Sequence, residues 1–214
     1  PVTSPSGPNP QTETQPVVLA IQNDPTDPPL LVGEWLAEEG IRVEVVQACF
    51  GEPVPRTVPA GVHLAIEPGV NLYIDPGSGF TIVGEIKALG TAAEKILFTR
   101  IPCHENWGFF SFQSTQLANE LRYCEFSYST ASPGCITAQG SRLDMESCHI
   151  HDITGEGASI FSSTFNLRNS IVERTYEALS IDYCRTIVEF NTVRNTTGKN
   201  GKIASLPISQ LLVR

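Results

Sequence analysis

Two hundred and fourteen residues are enough for a sizeable core, because roughly two thirds of the surface of an unfolded chain of this length leaves water on folding. Apolar residues make up 41% and charged residues 17%, and 17 Gly with 16 Pro promise many turns, which excludes a disordered acidic tail, a collagen and a compact helix bundle. The net charge of −9, with 10 Arg, 4 Lys and no basic run, argues against nucleic acid and anionic membrane as partners, and apolar runs no longer than that at 17–21 exclude membrane insertion.

Residues 1–16 carry five Pro and no large apolar residue except Val2, so they are expected to form a flexible Pro/Ser/Thr-rich arm. The start at Pro1, with no Met and no signal peptide, leads to the expectation of a processed mature protein or an excised fragment. From 17 to 56 the pattern predicts a strand–helix–strand cap. "VVLAIQ" at 17–22 is a buried strand, Leu31, Trp35 and Leu36 form one stripe of a short helix that stops at Gly40, and "IRVEVV" at 41–46 alternates as a second strand.

The segment "VVLAIQNDPTDPP…GEWLAEEGIRVEVV…GEPVP" (17–55) resembles the opening of class I glutamine amidotransferase domains. The Gly-x-Cys-x-Gly elbow and the His-x-Glu pair of that family are missing, and Cys49 lacks the preceding Gly, so the resemblance implies no amidotransferase activity. The six cysteines, at 49, 103, 124, 135, 148 and 184, are an even number without Cys-x-x-Cys spacing, which argues against a thiolate zinc site.

Residues 57–214 read as a repeat. Short alternating strands separated by Gly-containing turns fill 61–99. Beyond Trp107, "LRYCEFSYS" (121–129), "MESCHIHDI" (145–153), "LRNSIVERT" (167–175) and "VEFNTVRNT" (188–196) align without gaps at offsets of 24, 22 and 21. Nine residues before each start lie Phe112, Ile136, Ala158 and Leu179, a second strand in the same register. The opening "LAIEPGVNLYI…GEIKALGTAAEKILFT" (64–99), followed by "WGFFSF" at 107–112, resembles right-handed parallel β-helix proteins of the pectin-lyase-like superfamily over about 57–205. The expected fold class is therefore all-β, a right-handed parallel β-helix of about six to seven turns behind the cap and arm.

In such a coil equivalent residues stack about 4.8 Å apart. Leu121, Met145, Leu167 and Val188 form one inward column, and Phe126, Ile150, Val172 and Val193 another. Cys124, Cys148, Ser170 and Asn191 form a ladder at the turn, where Cys124 and Cys148 lie within reach of a disulfide. Arg122, Glu146, Arg168 and Glu189 alternate in sign up the outer face and pin the register.

Outward-facing His149 and His151 flank Ile150 and, with Glu125, are candidate metal ligands. His151, Glu173 and Arg194, in one column with Ser127, are the candidate catalytic or sugar-binding residues. Trp107, Tyr128, Tyr176 and Tyr183 are the aromatics available for stacking on sugar. The resemblance implies polysaccharide lyase or glycoside hydrolase activity, but the paired Asp, Asn-Thr-Asp triplet and Gly-His-Gly turn of those enzymes are absent. No cofactor is expected.

The leading expectation is a structural protein of the cell surface or extracellular space, a stalk, adhesin-like segment or filament subunit. A polysaccharide-degrading enzyme and a non-catalytic carbohydrate-binding module are the alternatives. Secretion is expected from the start without Met, the arm and the fold resemblance, and "NTT" at 195–197 is a glycosylation sequon. The apolar ending 203–213, with Ile203, Leu206, Ile208, Leu211 and Leu212, is expected to pair end to end with another copy or with the rest of a longer polypeptide.

Overall fold

Strands of two to six residues gain little stability alone and must stack on equivalents from other turns. The computed structural model shows that they do. It describes residues 17–21, 34, 36–47, 50–53, 55–130, 132–198, 202–204 and 212–213. The arm at 1–16, Leu31, Trp35, Cys49, Leu206, Ile208 and Leu211 lie outside the described residues.

The entrance consists of β1 (Val17–Ile21), β2 (Arg42–Val46) and β3 (Thr57–Val58). The first two full turns are β4 (Val62–Ile66), β5 (Asn71–Ile74), β6 (Phe80–Ile82), then β7 (Glu85–Leu89), β8 (Ile96–Arg100), β9 (Phe110–Gln113). The next two are β10 (Asn119–Arg122), β11 (Cys124–Ser127), β12 (Gly134–Gln139), then β13 (Arg142–Glu146), β14 (His149–His151), β15 (Glu156–Phe161). The coil closes with β16 (Thr164–Arg168), β17 (Ile171–Glu173), β18 (Glu177–Asp182), then β19 (Arg185–Glu189), β20 (Thr192–Arg194), β21 (Lys202–Ala204), and finally β22 (Leu212–Val213).

Successive strands fall into three parallel sheets, a first of order β2-β1-β4-β7-β10-β13-β16-β19-β22, a second running β5 to β20 and a third running β3 to β21. The chain is thus an all-β parallel solenoid of about seven turns with almost no helix. The entrance strands continue the first sheet, with β1 paired to β4 and β2 at the edge, and Leu19, Leu36 and Val46 are buried. Among the described residues no helix is long and apolar enough to cross a membrane.

The register follows the sequence repeat. Leu121, Met145, Leu167 and Val188 pair in succession, as do Phe126, Ile150, Val172 and Val193. One assignment shifts. Phe112 pairs with Ala138, and Phe110 is the partner of Ile136, because the path from Phe112 to Leu121 is two residues longer than the equivalent path from Ala138 to Met145. Val193, placed inward by the repeat, is 37% exposed, and β20 is the last strand of its sheet among the described residues.

From the end of β9 onward the turns bend at three corners, and these corners repeat a backbone conformation. Tyr123, Ser147, Asn169 and Phe190 separate the first sheet from the second, with φ between 48° and 56°. Tyr128, Asp152, Arg174 and Asn195 follow the second sheet, and Ser114, Gly140, Ser162 and Tyr183 follow the third, all left-handed. A left-handed side-chain-bearing residue costs roughly 1–2 kcal/mol. The cost is offset by amides that reach the next turn, such as Tyr123 N–H to Glu146 C=O at 3.1 Å and Ser147 N–H to Arg168 C=O at 3.0 Å. The parallel ladder therefore continues around the bends.

Just past these corners, small side chains point inward. Cys148 N–H donates to Ser170 Oγ at 3.0 Å, and Ser170 N–H to Asn191 Oδ1 at 2.8 Å. The Cys124 and Cys148 thiols are free and donate to the carbonyls of Ala88 and Leu121 at 3.4 and 3.3 Å. A second ladder, Thr115, Ser141, Ser163 and Cys184, is equally buried, with Thr115 N–H on Ser141 Oγ at 3.2 Å and Ser141 N–H on Ser163 Oγ at 3.1 Å.

Burial pushes the Cys135 thiol up to about 12, and the neighbouring Cys148 together with burial pushes Cys124 up as well. Cys103 alone among the described cysteines is exposed. Iodoacetamide on the native protein should modify Cys103 and spare Cys124, Cys135, Cys148 and Cys184 until denaturant is added. Rapid native labelling of the ladder cysteines, read by peptide mapping, would show that the coil is inside out.

Candidate functional site

The richest chemistry lies on the outer face of the second sheet. Alternation sends Ile150 inward and His149 and His151 outward, and the parallel register sets Glu125 beside His149, then Ser127, His151, Glu173 and Arg194 in one column. The column is as the repeat predicts. The bonds run diagonally across it.

His151 Nε2 lies 3.0 Å from Glu125 Oε1, and its Nδ1 lies 2.6 Å from Asp152 Oδ2. His149 Nε2 lies 3.1 Å from Glu173 Oε1. Arg174 donates from Nε and Nη2 to Asp152 at 2.7 and 3.0 Å and from Nη1 to Glu173 at 2.5 Å. Arg194 donates to the other oxygen of Glu173, and Lys95 Nζ stands 3.6 Å from Glu125 Oε2. Three carboxylates thus face three fixed cations and two imidazoles.

The electrostatics follow. The Arg194 hydrogen bond, with Arg174 and His149, holds the Glu173 carboxyl down at about 2 although its side chain is only 5% exposed. Arg174 does the same for Asp152, also about 2. For Glu125, burial acts upward but is outweighed by the His151 hydrogen bond and the charges of His151, Lys95 and His149, so the net direction is down. Burial and the charge of His151 push His149 down against the pull of Glu173. A general acid for glycosidic cleavage needs a carboxyl whose pKa is raised, and these are lowered.

Arg122, Glu146, Arg168 and Glu189 are successive register partners in the first sheet. Arg168 Nε meets Glu189 at 2.8 Å and Arg122 Nε meets Glu146 at 3.9 Å, while Lys87 bonds Glu120 at 2.5 Å in a separate column two residues away. Of the aromatics considered for sugar stacking, Trp107 is core: it is fully buried and its Nε1–H donates to Ser127 C=O at 2.7 Å. Tyr128, Tyr176 and Tyr183 are exposed, and Phe161 joins Tyr183 edge-on with centroids 5.4 Å apart.

A second cluster escaped the sequence reading. Glu156 and Glu177 are register partners on the third sheet, and Glu156 Oε2 and Glu177 Oε1 are buried without hydrogen-bond partners among the described residues. Burial, with the charges of Glu177 and Asp182, pushes the Glu156 carboxyl up. Their 21-residue separation matches the local repeat and was the available signal.

Ile203 and Leu212, placed in the assembly segment, have their backbones paired within the chain, to Ile181 and Ile187. Among the described residues β20, β21 and β22 end the three sheets. Comparison of the chain with family models, with curated proteins and with solved structures finds no match.

Proposed function

We propose that the protein is a structural β-helix, a rigid spacer or assembly subunit of the extracellular space or cell surface, whose outer charges join one turn to the next. One observation carries the reading: the ionisable residues of the second sheet's outer face neutralise one another across turns, with Glu173 and Asp152 locked as carboxylates by Arg194 and Arg174. Such groups fix register. The outward edges of β20, β21 and β22 support end-to-end contact with another copy or with the next part of a longer polypeptide.

A second reading has its own support. Glu156, raised by burial beside Glu177, and the exposed pair Phe161 and Tyr183 supply an acid and a stacking surface for a pectin-lyase-like enzyme or a carbohydrate-binding module. Incubating the chain with acidic and neutral polysaccharides and assaying reducing ends, 4,5-unsaturated products and binding separates the two. The structural reading expects none of the three. Products that vanish in Glu156→Gln would establish the enzyme instead.

A further inference from the structure

We propose that Glu125, His149 and His151 form a binding site for one divalent transition-metal ion of the zinc class, set across two successive turns of the coil. The inference does not depend on whether the rod is a scaffold or an enzyme. One donor atom from each of the three residues lies within 4.8 Å of the others. Two imidazoles and one carboxylate suit zinc, cobalt or nickel better than calcium or magnesium, which take oxygen ligands.

The spacing of the two closest donors fits an ion. His151 Nε2 and Glu125 Oε1 are 3.0 Å apart, whereas two ligands bonded tetrahedrally at about 2.0–2.1 Å stand roughly 3.3 Å apart. A small outward shift would admit the ion between them. The imidazole rings lie 4.2 Å apart, and a donor atom of His149 lies within 4.8 Å of the other two.

The surroundings hold these ligands as metal sites hold theirs. Asp152 Oδ2, 2.6 Å from His151 Nδ1, is placed to accept a proton from that nitrogen in the tautomer whose Nε2 coordinates, and Glu173 orients His149 from 3.1 Å. The nearby cations are engaged elsewhere. Arg174 is spent on Asp152 and Glu173 while touching His151 only on its Nδ1 side, at 3.2 Å, and Lys95 meets the Glu125 oxygen that does not face His151. The strand pairing, β11 beside β14, fixes the separation of Glu125 from both histidines, so binding needs no backbone rearrangement.

The test is titration of the full chain with Zn²⁺ by calorimetry and with Co²⁺ by visible absorption. The expected result is one saturable site, with cobalt bands of nitrogen–oxygen coordination and a melting temperature raised by Zn²⁺. Binding should be lost in His149→Gln/His151→Gln, and Asp152→Asn, a change in a positioning residue, should weaken it about 10–100-fold. Glu125→Gln, nearly isosteric, covers the case in which the histidine variant fails to fold. His63→Gln and His104→Gln, at the remaining two histidines, should bind as the wild type does. Absence of binding to the wild type, or binding unchanged in Glu125→Gln and the double histidine variant, would overturn the proposal.

Discussion

Phe110→Ala is expected to destabilise the protein by about 3–5 kcal/mol, the cost of emptying a large aromatic site in a close-packed core. Phe110 is fully buried and lies at the centre of an aromatic cluster formed by three turns. Its ring stands 5.4 Å from Phe80, 5.2 Å from Phe98, 5.5 Å from Phe112 and 5.8 Å from Phe126, while Phe98 and Phe126 stack at 4.6 Å with planes 2° apart. Removing it exposes four rings to a void that the hydrogen-bonded coil cannot collapse to fill. The neighbouring Phe109 points outward and is 38% exposed, so Phe109→Ala should stay within about 0.5 kcal/mol of the wild type. Urea denaturation of the two variants reads the difference. Equal losses would mean that the alternation along β9 is misplaced.

Gly84→Ala acts by the opposite mechanism and should cost about 1–3 kcal/mol or more. A Cβ at Gly84 would lie under 3.0 Å from the carbonyl oxygens of both Val62 and Pro59. Neither is a flexible side chain that can turn away. The same residue donates its N–H to Val58 C=O at 3.0 Å and accepts from Thr115 Oγ1 at 2.6 Å, so a shift of the backbone breaks contacts on two sides. Gly61→Ala, where a Cβ meets nothing within 4 Å, isolates the steric contribution, since its loss comes only from a φ of 78°. A melting temperature unchanged in Gly84→Ala would show that the turn entering β7 is looser than described.

The parallel coil was legible because its repeat is nearly constant. Offsets of 24, 22 and 21 residues put Leu121, Met145 and Leu167 in one column, and a slip of one residue would have sent each to the solvent face. Phe112 was misplaced because the loop at 114–118 lengthens without changing the pattern of the strands it joins. Apart from Gly140, these corners carried no glycine signal. Left-handed backbone falls on Tyr123, Phe190 and Arg174, residues that ordinarily argue against it, and only the stacked hydrogen bonds account for it. Trp107 was grouped with the exposed aromatics because nothing in its neighbours shows that the indole N–H reaches Ser127 C=O inside the coil.

At the site, the column His151, Glu173, Arg194 followed from alternation alone. Its pairing did not. Asp152 and Arg174 sit at corners, one residue beyond the strands, and a strand pattern gives no direction for a corner side chain. Those two residues turn an isolated histidine pair into a closed network with Glu125 and Glu173.

Whether this network holds turns together is read from the melting temperature of Glu173→Gln, taken near neutral pH in the presence of a chelator. Glutamine keeps the shape but removes the charge that Arg174, Arg194 and His149 share. Breaking one partner of a buried charge network leaves the others uncompensated. The expected result is a melting temperature clearly below that of the wild type, with the gap narrowing as salt screens the exposed ends of the two arginines. An equal or higher melting temperature would contradict it, because a carboxylate that costs stability is kept for chemistry and not for holding the coil together.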